Sequence, residues 1–334
     1  MRITLPVYIF AIVLSGLIIS PVFADKIPVF HMDSQTLRES VTDQGSLRSL
    51  SDHLLTFSHK AALDLTGEEI NPWRMDQQIE AMADEIRSQL QPSAGTEETF
   101  RQLNRWFFRD KNFQVDRSRL YQSPLESLLL SEVIKKRRGH CLSLSLLYLM
   151  LAEKLALPVR GVIVPGHFFV RYDDGNQRLN VETTDQGRHF SDHYYLKRFM
   201  HGVNDSISLR DLDKPQVLAV YISNLANHYK LRGWNAKAIE IFHFVLDVLP
   251  GSPGVYINLG NAYERSGRIV KAIVQYQHAL KINPYLCQAH YNLALIHFLY
   301  TKMFPVARQH GKTARQLGCH LHPRFGAFLQ ASQP

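Results

Sequence analysis

Three residues of this chain could act together as a covalent catalyst: Cys141, His167 and Glu182. A thiol, an imidazole and a carboxylate supply a nucleophile, a general base and an orienting acid. That set attacks an acyl carbon and delivers a proton to the leaving group. Cys141 stands immediately before a strongly apolar run over residues 142–157, stopped by Pro158, so it falls at the first turn of a predicted helix. Unpaired backbone N–H groups at that end favour a thiolate, and the preceding Lys135-Lys136-Arg137-Arg138 cations act in the same direction. Taken alone, a cysteine there reads equally well as a small buried core residue, and the basic run as a solvated helix end. His167 changes the balance. It leads into Phe168-Phe169-Val170, where a lone histidine is ordinarily a satisfied core residue, but Glu182 follows inside Leu179-Asn180-Val181-Glu182-Thr183. A carboxylate within an apolar strand is costly unless paired, and from a neighbouring strand it can fix the tautomer and tilt of the imidazole.

The elements that must hold these residues read as α+β. Leu128, Leu129, Val133 and Ile134 give a helical pattern that starts at Pro124 and stops at Gly139. The apolar helix comes next, then strands over 159–164 and 168–172, a hairpin signal at Asp173-Asp174-Gly175-Asn176, and a third strand over 178–183. A helix followed by antiparallel strands places Cys141 at a helix start and His167 and Glu182 on adjacent strands. Residues 25–118 read as a mostly helical segment without visible chemistry. Ile79, Met82, Ala83, Ile86 and Leu90 form one stripe, Gln91-Pro92-Ser93-Ala94-Gly95 interrupts, and Thr96 is placed to cap a second helix carrying Phe100, Leu103, Trp106 and Phe107 on one face.

Residues 219–321 contain an internal repeat. Leu225, Tyr229, Gly233, Ala238, Phe242 and Pro250 recur 34 positions later as Leu259, Tyr263, Gly267, Ala272, Tyr276 and Pro284. Leu259-Gly260 followed by Tyr263 fits the first helix of a tetratricopeptide repeat. A third copy keeps Leu293 but carries His297, Thr301, Val306 and Gly318 in place of the Tyr, Gly, Ala and Pro, the wear expected of a capping unit. Tyr229, Phe242, Tyr263 and Tyr276 fall at inter-helix packing positions and read as core.

The motifs Arg138-Gly139-His140-Cys141-Leu142-Ser143, Leu157-Pro158-Val159-Arg160-Gly161-Val162, Pro165-Gly166-His167-Phe168-Phe169-Val170-Arg171 and Asn180-Val181-Glu182-Thr183-Thr184 resemble the bacterial transglutaminase-like superfamily, in the branch fused to tetratricopeptide repeats. The resemblance implies a papain-like core over 119–210, after the helical segment 25–118 and before an all-α repeat array over 219–321. It assigns Cys141 as nucleophile, His167 as general base and acid, and Glu182 as orienting acid. In transglutaminases the third member is usually Asp, so Glu182 is a departure. The implied function is a cysteine hydrolase or acyltransferase acting on amide bonds of a protein or peptide, with the repeats binding a partner. The rival reading is a non-catalytic interaction module that keeps the fold. Neither reading requires a cofactor or a metal.

The chain has 334 residues, 45% hydrophobic and 20% charged, as expected of a globular protein with a sizeable core. Arg2, an apolar stretch from Leu5 to Ile19, and Val22-Phe23-Ala24 at the end give 1–24 the form of a cleaved signal peptide, with an uncleaved anchor as the alternative. A periplasmic or secreted location follows, and with it no nucleic-acid partner. Loss of Arg2 takes 38 Lys and Arg to 37 against 30 Asp and Glu, a net of +7. That is mildly basic and could favour a membrane surface.

Three cysteines in an oxidising compartment leave at least one thiol unpaired within the chain. Cys287 begins the first helix of the third repeat and Cys319 follows its second, so the two ends meet in an antiparallel hairpin; a disulfide there, which would leave Cys141 the lone free thiol, stands beside the alternative of two free thiols. Other histidines carry weaker signals. His140 reads as an exposed neighbour of the nucleophile. His189 and His193 are spaced for one helix face, and His320 and His322 lie near the end, but no catalytic metal pattern accompanies either pair.

Overall fold

The computed structural model describes residues 49–116, 125–200 and 207–331. The expected signal segment and Pro124 lie outside them. Helix α1 (Leu50–Thr66) starts on a reciprocal cap between Ser49 and Asp52 and ends at Gly67 in the left-handed region. Helix α2 (Pro72–Arg87) buries the stripe Met75, Ile79, Ala83 and Ile86. In α3 (Thr96–Asn104) Gly95, not Thr96, takes the N-cap position. The helix then widens into a π turn, Arg105–Asp110, that brings Trp106, Phe107 and Phe108 inside together.

A short parallel pair, β1 (Gln114–Val115) with β2 (Arg138–Gly139), flanks α4 (Leu130–Lys136). Helix α4 ends on Arg137 at φ 54°. At Gly139 a Cβ would lie 2.6 Å from the Ser143 side-chain oxygen and 3.1 Å from Val133, so only glycine lets the chain turn tightly into the next helix. That helix, α5 (Cys141–Lys154), buries every residue from Leu142 to Ala152. A helix apolar all round is one enclosed on every side.

The strands β3 (Val159–Val164), β4 (His167–Asp173), β5 (Arg178–Glu182), β6 (Arg188–His189) and β7 (Asp211–Leu212) form an antiparallel sheet in the order β6-β5-β4-β3-β7. Phe168, Val170 and Tyr172 of β4 face the main core, against α5. Phe169, with Val162 and Val164, faces a second cluster built on Tyr195 of α6 (Asp192–Phe199). The fold is therefore α+β, with the catalytic-type residues at the junction of helix and sheet.

Three helical hairpins follow: α7 (Lys214–Leu231) with α8 (Asn235–Val248), α9 (Pro253–Arg265) with α10 (Ile269–Ile282), and α11 (Cys287–Leu299) with α12 (Phe304–Gln316). Tyr229, Phe242, Tyr263 and Tyr276 are all buried. Gly260 is required by contact, since a Cβ there would come 2.5 Å from the Tyr276 ring. An element not expected from sequence, α13 (Pro323–Gln330), closes the array by packing Phe325 and Leu329 against Ala294. The Cys287–Cys319 disulfide is present, with Cα atoms 5.6 Å apart, and Cys141 is the free cysteine.

One hydrophobic core runs from Leu50 of α1 through α5 to Ile296 of α11. Asp64 of α1 accepts hydrogen bonds from the Tyr229 hydroxyl and the Lys237 ammonium, both at 2.6 Å. The first repeat is thus joined to the N-terminal helices by packing and by a half-buried polar contact.

Candidate active site

Cys141 opens α5, where the first backbone N–H groups have no partner within the helix and carry the positive end of its dipole. The turn Pro165-Gly166 joins β3 to β4, with Val164 paired to His167. Gly166 takes φ 74°, the left-handed conformation a tight turn with proline first demands. His167 is thereby fixed as the first residue of β4, lining the same cavity as Cys141. Its Nε2 meets Glu182 Oε2 at 2.7 Å. With Nε2 committed to the carboxylate, Nδ1 is the nitrogen left for the thiol.

The strand register explains why the acid is Glu. Val170 pairs with Val181 and Arg171 with Asn180, so the continuation sets Glu182 opposite Phe169. His167 then lies on the diagonal, about 7–8 Å away along the backbone. The extra methylene of Glu spans that diagonal. The departure from Asp is met by geometry.

Glu182 is buried, and its two oxygens are fully engaged. Oε1 accepts from the Thr184 hydroxyl at 2.6 Å and its backbone N–H at 3.1 Å, while Oε2 accepts from the Tyr195 hydroxyl at 3.2 Å as well as from His167. Burial alone would raise its pKa. The His167 hydrogen bond and charge, with the Thr184 donors, outweigh burial and hold the carboxyl below its ordinary value. Burial would likewise depress His167, but Cys141 and Glu182 on either side raise it to about 9. The surroundings of the ring thus favour its protonated form.

Packing fixes the plane of the ring. Phe199 stacks on His167 at 4.8 Å between centroids and 3° between planes, and Tyr195 stacks on Phe169 at 3.9 Å. Both aromatics belong to α6, which is held by Arg171. This guanidinium is fully buried. Its Nε donates to Asn180 at 2.7 Å, Nη1 to Asp211 at 2.6 Å and to the Leu209 carbonyl at 2.9 Å, and Nη2 to Asp192 at 2.7 Å. Asp192 begins α6, so the charge in β4 sets the helix that sets the histidine. Thr184, Tyr195, Phe199 and the Arg171 network were not expected from sequence. Nothing in the spacing of Tyr194, Tyr195 and Phe199 says which face of α6 meets the sheet.

Two expectations about other histidines fail. His140 is not simply exposed: it caps α5, half-buried, and its Nε2 is enclosed with no hydrogen-bond partner among the described residues. Burial lowers its pKa, partly offset by Asp116. His189 and His193 do not share a helix, since the first is in β6 and the second in α6. His322 instead caps α13, accepting from the Arg324 N–H. Among the described residues no group of three or more His, Cys, Asp or Glu side chains converges as a metal site.

Comparison with known proteins gives two family matches. Residues 74–220 match the model of the transglutaminase-like superfamily, and residues 260–299 that of the TPR repeat. The chain is 23% identical over 232 residues to a UPF0162 protein of Xylella fastidiosa strain 9a5c, covering 66% of this chain and 82% of that protein. A UPF0162 protein of the Temecula1 strain is 22% identical over 217 residues, covering 63% and 76%. Among solved structures, the Sgt2 TPR domain from Aspergillus fumigatus is 21% identical and covers 34% of this chain and 74% of its own, with a TM-score of 0.31.

Proposed function

From a chain that carries a transglutaminase-like domain with a TPR repeat C-terminal to it, we propose a thiol hydrolase or acyltransferase that acts on amide bonds of a protein or peptide. The observation that carries this reading is the His167 ring, held at 2.7 Å by buried Glu182 and lining the same cavity as free Cys141.

In the proposed reaction the Cys141 thiolate attacks the amide carbonyl carbon, forming a C–S bond. The C–N bond then breaks as the His167 imidazolium gives its proton to the departing amine, leaving a thioester. Water, or a second amine, next attacks the thioester with His167 as base. That step releases an acid or a new amide and restores the thiol. The free N–H groups at the head of α5 are suited to the tetrahedral oxyanion. The repeats bring a protein partner, the usual role of this repeat. We also place the protein outside the cytoplasm, a reading supported by the 1–24 pattern and by the Cys287–Cys319 disulfide.

Alkylation kinetics test the nucleophile. Iodoacetamide should modify wild-type Cys141 rapidly near pH 6, and His167→Ala should slow this by at least tenfold. A rate like that of free cysteine, indifferent to His167, would refute catalysis and leave the chain an interaction module.

A further inference from the structure

Two adjoining cavities of about 270 and 280 Å³ form one groove that starts at Cys141 and His167 and ends at the disulfide. They share Ile163, Gly166, Ser252, Gly254 and Gln288. One wall is the β3–β4 end of the core. The other comes from the first helices of all three repeats, at recurring positions. Val220, Gly254 and Gln288 are equivalent residues 34 apart on α7, α9 and α11, and Asn224 and Asn258 are equivalent residues one turn further along. The repeats therefore complete the site that holds the thiol.

The chemistry of this groove is unlike that of the chain around it. Lys, Arg, Asp and Glu make up 20% of the residues, yet among the described residues none of them lines either cavity. Apart from Cys141 and His167, the polar side chains are carboxamides and hydroxyls, among them Asn224, Asn258, Gln288, Ser223 and Ser252. A carboxamide offers a donor and an acceptor side by side, which matches the N–H and C=O of an extended main chain. Asn224 spends one N–H on the Val220 carbonyl at 2.9 Å and keeps another donor and an acceptor. A charged side chain entering here beyond the Cys141–His167 end would lose hydration and find no counter-charge. Neighbouring helices pack about 8–10 Å apart, so three in a row span about 20 Å, the length of about six extended residues.

We infer that the substrate of Cys141 is an uncharged, extended polypeptide segment laid along α7, α9 and α11, with its main chain on the Asn224 and Asn258 carboxamides. The repeats are then a wall of the active site and not a separate platform. The inference rests on Cys141 being the nucleophile only in calling the ligand a substrate; the groove itself is tested without turnover.

Gly254 supplies the test. A Cβ built there meets nothing within 4 Å, and its φ is ordinary, so Gly254→Trp fills the groove without straining the helix. Binding is measured by fluorescence anisotropy on the full chain carrying Cys141→Ala. The probes are three end-blocked octapeptide pools, matched in length and apolar content and carrying a neutral dye. One pool draws its polar positions from Asn, Gln and Ser, one from Asp and Glu, and one from Lys and Arg. The neutral pool should bind at least tenfold tighter than either charged pool. Gly254→Trp should weaken it at least tenfold while leaving the melting temperature within a few degrees of the parent. If Gly254→Trp fails to fold, Asn258→Leu carries the same expected loss. Equal or tighter binding of a charged pool, no binding of any pool, or an unchanged affinity in the groove variants overturns the inference. Slow, His167-independent alkylation of wild-type Cys141 with neutral-pool binding intact sinks the nucleophile and leaves the groove standing. Fast alkylation with binding blind to charge does the reverse.

Discussion

Replacing Glu182 with Gln removes the negative charge beside His167 and keeps the length of the side chain. The amide oxygen can still accept from His167 Nε2 and the Tyr195 hydroxyl, while the amide nitrogen must face the two Thr184 donors, so the variant loses the charge and one acceptor together. A hydrogen bond to a charged group contributes about 1.5–3 kcal/mol against about 0.5–1.5 for a neutral one. The difference, about 1–1.5 kcal/mol, is about one unit of pKa. His167 should therefore fall from about 9 by about one unit. Cys141→Ala should lower it as well, because Cys141 also raises the ring. The sign for stability follows. The ring binds its proton more tightly folded than unfolded, so its contribution is complete below about 6.5 and fades as pH rises towards 9. Both variants should flatten that decline. The assay is an NMR titration of the His167 ring carbon, assigned by its loss in His167→Gln. Glu182→Asp provides a check on geometry, since it keeps the charge but shortens the reach by about 1.5 Å. It should lower the His167 pKa by less than Glu182→Gln, because the charge stays near the ring while the 2.7 Å contact is lost. If His167 still titrates near 9 in both variants, the carboxylate does not hold the ring and the reasoning from register fails.

The Arg171 network should show an asymmetry. Asp192→Ala combined with Asp211→Ala leaves a buried guanidinium short of both counter-charges and should cost about 3–5 kcal/mol in urea unfolding. Arg171→Met removes the buried charge itself and should cost less; the opposite order would refute the account. Reducing Cys287–Cys319, which closes a span of 32 residues, should remove about 3–4 kcal/mol from the last repeat, read as a lower melting transition absent from Cys287→Ser. His310 is held down to about 4 by burial and by its neighbours His290 and His297. The folded ring resists a proton that the unfolded ring accepts, so stability should fall as pH drops from about 6.5 towards 4. His310→Gln should remove that loss in a thermal melt followed across pH.

The parts of the site that were legible in sequence are those set by local rules. The apolar run after Cys141 and the proline that ends it define α5. Pro165-Gly166 fixes the turn, and alternation along β4 and β5 puts His167 and Glu182 on one face. The 34-residue offset of the repeats carries its own period. What escaped depends on contacts between distant segments. Tyr195 and Phe199 matter because α6 turns one face to the sheet, which Arg171 decides through Asp192. Tyr229 meets Asp64 across 165 positions, and neither residue announces the other. The misplacement of His189 and His193 has a simpler cause. A spacing of four means one helix face only if a helix is there, and Ser191 caps α6 between them.

The disulfide acquires a second meaning beside the shared core. A stack of repeats ordinarily frays from its ends, each unit being held only by its neighbours. Here the first hairpin is embedded in the same apolar mass as α1 and α5, and the last is locked covalently at Cys287, which lines the groove. Fraying is opposed at the first terminus by the shared core, and at the last the hairpin is closed on itself. The repeat face opposite the thiol should then be largely shaped before any chain arrives, so its ordering cost falls at folding and not at capture.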